Sequence, residues 1–94
     1  MPTYQTEHGS ACADEEFRIA DLCANPTAVH RIIGRGADVR GFFYWSLMDN
    51  FEWQHGYTKK FGLLEVSFND EKLPRRPKPI AHVFSNSCAQ NRVP

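Results

Sequence analysis

Val39-Arg40-Gly41-Phe42-Phe43-Tyr44-Trp45-Ser46-Leu47 is the stretch that decides the fold. From Gly41 to Trp45 no charged residue interrupts the run, so the two-residue alternation of a half-exposed strand is missing. Aromatic and β-branched side chains favour the pleated backbone. A strand that is apolar on both faces belongs to a parallel sheet covered on either side. The run therefore predicts a buried strand over Val39–Leu47.

Upstream, Ile19, Leu22, Pro26, Val29 and Ile33 step by three and four residues, which is the spacing of one helical face. Asp14 precedes Glu15 and Glu16, a capping residue followed by an acidic first turn. Gly34 and Gly36 can close the far end. Pro26 sits inside the pattern, where its ring meets the carbonyl four residues back. A kinked helix or two shorter helices are expected between Glu15 and Ile33. Further upstream, Thr3-Tyr4-Gln5-Thr6 is a short β-prone run, with Glu7-His8-Gly9 ending it. Strand, helix and strand in this order form a βαβ unit with a right-handed crossover.

Downstream, Met48–Phe61 reads as a loop carrying Asp49, Asn50, Glu52, Trp53, His55 and Tyr57. Leu63–Phe68 is a short further strand, and Asn69–Pro77 is turn-rich. Pro79 opens a last helix at its first position, with Ile80, Val83, Phe84 and Cys88 as its stripe. The tail Asn91–Pro94 is expected to fray. Two parallel strands with two helices do not close a sheet, and both edges of the central strand need neighbours. The 94 residues read as a piece of a larger α/β protein.

Composition narrows the function. Lys plus Arg number 11 and Asp plus Glu number 11, so the formal charge is zero. That argues against a nucleic-acid or polybasic membrane module, since both work through an excess of Lys and Arg. No apolar run approaches the ~20 residues of a membrane span. Met1–Ser10 lacks the regions of a signal peptide, from which a cytoplasmic location is expected unless the protein's own beginning lies further upstream. Cys12, Cys23 and Cys88 are an odd, scattered set without a CxxC, so reduced thiols are expected and neither a metal site nor a disulfide. No cofactor is expected, and the oligomeric state is left open.

In βα architectures the C-terminal ends of the strands carry the chemistry. Two groups of carboxylates fall there: Glu7 after the first strand, and Asp49 with Glu52 after the second. Trp45 and Trp53 flank the second group. Carboxylates beside flat rings suit carbohydrate chemistry, because one can attack or stabilise an oxocarbenium-like centre, others accept sugar hydroxyls, and rings stack on sugar faces. The same residues also have plain roles, Glu7 as a solvated turn residue, the tryptophans as packing, and Asp49 and Asn50 as loop caps.

Tyr44-Trp45-Ser46-Leu47-Met48-Asp49-Asn50-Phe51-Glu52-Trp53 resembles the eighth-strand motif of glycoside hydrolase family 1, the β-glucosidase family. Tyr4-Gln5-Thr6-Glu7-His8-Gly9 looks like its Thr-Glu-Asn-Gly motif at the end of the seventh strand, with His8 in place of Asn. Phe17-Arg18-Ile19-Ala20 and Ala28-Val29-His30-Arg31 resemble the following helix. Val39-Arg40-Gly41, the stretch from Gly56-Tyr57 through Phe61-Gly62-Leu63, and Pro77-Lys78 continue the likeness over nearly the whole chain.

The resemblance implies the C-terminal part of a (β/α)₈ TIM barrel, about two of eight βα units, incomplete as a domain. Residues 1–94 would hold the seventh strand, its helix, the eighth strand, the sugar-binding loop and the last helix. It implies a retaining β-glycosidase acting on a β-glucoside or β-galactoside. Glu7 matches the nucleophile. Glu52 and Trp53 match ligands of the sugar hydroxyls, Trp45 part of the sugar platform, and Phe61 an aromatic lining the same subsite. Glu52 is then a sugar ligand rather than a second catalytic carboxylate. The family's general acid/base stands in an Asn-Glu-Pro motif on its fourth strand, and no Asn-Glu-Pro occurs in these 94 residues. The alternatives are a sugar-binding segment without catalysis and a decayed remnant without activity.

Overall fold

The computed structural model describes residues 1–94. Strand β1 (Thr3–His8) is followed by helix α1 (Glu15–Gly34), strand β2 (Val39–Tyr44), a 3-10 turn (Trp53–His55), strands β3 (Leu64–Val66) and β4 (Arg75–Pro77), and helix α2 (Pro79–Gln90). β1 and β2 pair in parallel, with Gln5 opposite Phe42 and His8 opposite Tyr44. The βαβ unit is thus present. Glu7 lies within β1 rather than after it, because pairing continues to His8. β2 stops at Tyr44, short of the expected Leu47, where the Trp45–Ser46 peptide is cis.

The Asp14 carboxylate caps α1 by accepting from the amides of Glu16 and Phe17 at 3.0 and 3.3 Å. At the other end Arg35 is the cap and Gly36 takes φ 100°, a value that favours glycine. Of the two outcomes expected at Pro26, two shorter helices do not form: α1 runs as one helix of 20 residues with the proline inside it. Beside the proline, the Thr27 hydroxyl donates to the Cys23 carbonyl at 2.7 Å, adding a tie across that turn. One turn before the proline, Leu22 is buried against Leu63 and Ile80, and such tertiary contacts outweigh local propensity.

The core is small: Leu22 from α1, Leu63 before β3, and Ile80 from α2, with Ile19, Tyr44, Ala81, Val83 and Phe84 packed around them. Ile33 and Cys88, at the far ends of the two helical stripes, are exposed. Only one face of β2 is covered. Tyr44 packs on Phe84 with ring centres 5.8 Å apart, while Phe43 and Trp45 stand exposed on the other face. A strand apolar on both faces with one face bare is the geometry of a barrel strand without the rest of its barrel.

β4 is the element that sequence periodicity does not predict. Arg75-Arg76-Pro77 is exposed and pairs antiparallel with β3, the turn-rich segment supplying the return. Arg76 and Glu65 pair across it at 2.6 Å. Lys78 then gives its amide to the Leu63 carbonyl at 2.9 Å and leads into α2, where Pro79 stands at the first turn.

Candidate functional site

The C-terminal ends of β1 and β2 are tied by one backbone bond: the Trp45 N–H donates to the His8 carbonyl at 2.8 Å. Gly9 lies directly against the Trp45 carbonyl, and a Cβ there would overlap that oxygen. The chain at Glu7–Gly9 can therefore reach Trp45 only because residue 9 has no side chain. Glu7 is exposed beside this junction, and Trp45 keeps 41% of its surface open.

Beyond Trp45 the chain is knitted to the segment around Phe61. Ser46 donates its amide to the Phe61 carbonyl at 3.3 Å and accepts from the Leu63 amide at 2.9 Å. The Ser46 hydroxyl donates to the Met48 carbonyl at 2.8 Å, and the Asn50 side-chain amide reaches the same two oxygens. Phe61 is half-buried next to the Trp45–Ser46 link.

Asp49 is buried and fully engaged. Its Oδ1 accepts from the Gly62 amide at 3.0 Å and from Lys78 Nζ at 2.8 Å, and Oδ2 accepts from the Val66 amide at 3.4 Å. It braces the turn at Gly62 and the start of α2, so its carboxylate is not open to a ligand. Gly62 packs so closely on the Met48–Asp49 backbone that a Cβ there would overlap it.

Glu52 and Trp53 sit on a separate bend. The Glu52 amide donates to the Gly56 carbonyl at 2.7 Å, and both Trp53 (φ 47°) and Gly56 (φ 59°) take left-handed backbone. Behind the bend, Phe51 meets Tyr57 edge-on at 5.4 Å, and Tyr57 lies on Phe68 at 4.2 Å. Trp53 is 83% exposed. Neither Glu7 nor Glu52 enters any of the chain's ion pairs. The structure thus brings Glu7, Trp45 and Phe61 to one end of the strand pair. It holds Glu52 and Trp53 on the adjoining loop, with no bond between the two carboxylates.

Arg18 is the residue that sequence reasoning leaves without a role. It is 2% exposed. Its Nε donates to the Ser10 carbonyl at 3.2 Å, Nη1 to Glu15 at 2.6 Å, and Nη2 to the Tyr44 hydroxyl at 3.0 Å and the Phe61 and Gly62 carbonyls at 2.9 Å. Glu15 in turn accepts the Ile80 amide at 3.2 Å. One guanidinium fork thereby joins α1, the segment after β1, β2, the Phe61 turn and, through Glu15, α2. Burial pushes the Tyr44 hydroxyl above its ordinary pKa, and the nearby Arg18 charge opposes that rise. The available signal was an arginine one position before the apolar stripe, too common a pattern to single out.

The family model described as Glycosyl hydrolase family 1 matches residues 2–93. The β-galactosidase of Saccharolobus solfataricus is 43% identical over 79 residues, which is 84% of this chain and 16% of that protein. The bifunctional β-D-glucosidase/β-D-fucosidase of Bifidobacterium breve is 44% identical over 89 residues, 81% of this chain and 19% of its own length. Among solved structures, a β-glycosidase from Pyrococcus horikoshii superposes with a TM-score of 0.93 at 40% identity, covering 99% of this chain and 22% of that one. A Thermotoga maritima β-glucosidase in complex with glucoimidazole gives 0.92 at 32% identity, covering 99% and 23%. The chain spans about a fifth of the length of the curated relatives it matches. Its βαβ unit, its strand-end junction and its terminal helix are one portion of a TIM barrel, and the chain belongs to glycosyl hydrolase family 1.

Proposed function

We propose that this segment contributes the nucleophile and part of the sugar site of a retaining β-glycosidase acting on β-glucosides or β-galactosides. The Glu7 carboxylate attacks the anomeric carbon as the bond to the leaving oxygen breaks, and an acid from another part of the barrel protonates that oxygen. Water then attacks the glycosyl–Glu7 ester, and the same outside group, now a base, takes its proton. Retention requires the two carboxyl groups to stand roughly 5–5.5 Å apart. Trp45 is the platform under the sugar ring, Glu52 and Trp53 bind its hydroxyls, and Phe61 lines the same subsite.

The single observation that carries this reading is the Trp45 N–H to His8 carbonyl bond, a backbone tie that sets the exposed Glu7 and the exposed Trp45 on neighbouring strand ends at the C-terminal side of paired parallel strands. On this reading the 94 residues alone do not turn over. They lack the acid, a contribution of roughly 10²–10⁴ in rate. They also leave Phe43, at the bare face of β2, and Trp45 and Leu47, just beyond its end, exposed, which favours self-association.

The test uses the isolated chain and a full-length barrel in which this segment forms the last two βα units, both with an activated aryl β-glucoside. The barrel is expected to turn over and its Glu7→Gln variant to be inactive but folded, because an amide does not form the ester. The isolated chain is expected to show background rates only. An active Glu7→Gln barrel would overturn the reading. The exposed Trp45 and Trp53 also suit a second reading, sugar binding without catalysis. A saturable sugar titration with no turnover in the full-length barrel would favour it.

A further inference from the structure

His8 and Asp21 make a contact that none of the site chemistry above uses. His8 Nε2 lies 3.2 Å from Asp21 Oδ2 across the gap between β1 and α1. The imidazole is largely buried, with its ring centre 5.8 Å from that of Phe42 and 6.5 Å from that of Tyr44. The approach is off the line of a hydrogen bond, and Nε2 has no other partner. The contact is attractive only when Nε2 carries a hydrogen, since a bare nitrogen lone pair would face a carboxylate oxygen.

Gln5 and His8 are three positions apart, so strict alternation would put them on opposite faces of the strand. Pairing is irregular between them, so both turn toward α1, where Gln5 donates to the Asn25 side chain at 2.9 Å. The strand end is thus fixed at three places: Gln5 to Asn25, the His8 side chain to Asp21, and the His8 carbonyl to the Trp45 amide. Glu7 lies between the first two. Of these three, only the His8–Asp21 contact joins the residue next to Glu7 to a charge on the helix.

We propose that His8 and Asp21 are positioning residues, a contact between strand and helix that sets where the Glu7 carboxylate stands. The inference rests on the reading of Glu7 as nucleophile. The titratable groups around His8 are Asp21 itself and Tyr44, whose hydroxyl is held by Arg18, which is paired with Glu15. Asp21 is the carboxylate that touches the imidazole. Small displacements of a reacting group cost rate rather than affinity, up to about 10²-fold for an ångström.

The test is a set of three variants of the full-length barrel, Asp21→Asn, His8→Leu and the double variant, with kcat and KM measured on an aryl β-glucoside. Asn at position 21 keeps the size of Asp at a site one-third exposed, so it preserves the fold if Asp21→Ala does not. Each single variant is expected to lower kcat by about fivefold or more with KM within about twofold, and the double variant is expected to be no worse than the poorer single one, as for residues acting as one unit. A merely structural contact would lower the melting temperature and leave kcat unchanged. Smaller losses of kcat, or losses that multiply in the double variant, overturn the proposal. Labelling of Glu7 by a slow 2-fluoro glycoside in the parent barrel separates the two readings. Labelled Glu7 with unchanged kcat in the variants sinks this inference alone, and a label elsewhere sinks the nucleophile assignment with it.

Discussion

Arg18 Nη2 stands 2.9 Å from the carbonyl of Phe61, so a residue on the first helix holds the backbone of a residue at the C-terminal end of the strand pair. The same nitrogen reaches Gly62, whose amide is held from the other side by Asp49. The turn is gripped by a cation through its carbonyls and by an anion through its amide. Both ions are buried and both are paired, Arg18 with Glu15 and Asp49 with Lys78. Such groups are costly to leave without a partner.

Arg18→Ala should therefore destabilise the full-length barrel by about 3 kcal/mol or more, since it strands the Ser10 and Gly62 carbonyls, leaves the Phe61 carbonyl with the Ser46 amide alone and removes the cation that pairs with Glu15. Arg18→Lys should recover less than half of that loss, because one ammonium cannot span the positions of the planar fork. Chemical denaturation of both variants measures it. Equal stability of the Lys variant and the parent would show that charge alone, not the fork, holds the turn.

Gly62→Ala should prevent folding, whereas Gly34→Ala should be tolerated. A Cβ at residue 62 would overlap the Met48–Asp49 backbone, while nothing lies near residue 34. Soluble yield and circular dichroism of the two variants compare them directly. A folded Gly62→Ala barrel would mean that the contact between the two loop segments relaxes without cost.

Tyr44 gives an alkaline signature. Burial raises its pKa above the ordinary value of 10, so the folded state favours the neutral phenol. The stability this contributes is complete below the unfolded pKa of about 10 and is lost as pH rises through the folded one. Tyr44→Phe should lose the Arg18 hydrogen bond, about 1 kcal/mol at neutral pH, and should show a shallower fall in melting temperature above about pH 10. The same alkaline slope in both proteins would remove Tyr44 as its source.

Glu52 bears on substrate class. Family members that cleave 6-phospho-sugars resemble one another in carrying a small residue where this chain has Glu52 and a Tyr where it has Phe61. A carboxylate at that place would repel a phosphate dianion and accept hydroxyl donors instead. The full-length barrel should hydrolyse an aryl glucoside in preference to its 6-phosphate. Preference for the phosphorylated substrate would end the assignment of Glu52 to a free hydroxyl.

The βαβ unit was legible because its signals are local and redundant: an aromatic run at Phe42–Trp45, a stripe from Ile19 to Val29, and Asp14 as cap. The single helix was not, because Pro26 is a local penalty and the packing that overrides it is made elsewhere in the chain. β4 was not, because Arg75, Arg76 and Pro77 carry no strand pattern, and only Leu64–Val66 makes them one. Asp49 and Glu52 look alike on paper, three positions apart in a loop. Their difference comes from Gly62, Val66 and Lys78, which engage Asp49 from well beyond that loop. Glu7 and Trp45 are 38 positions apart in the sequence, and the resemblance to a known motif joined them before geometry did.

The most direct test of the account is mass spectrometry of the full-length barrel after reaction with a slow 2-fluoro β-glucoside, which traps the glycosyl–enzyme ester. The account predicts the label on the peptide that contains Glu7 and none in the Glu7→Gln variant. A label on the peptide of Asp49 and Glu52 would contradict it and move the nucleophile to the loop after the second strand.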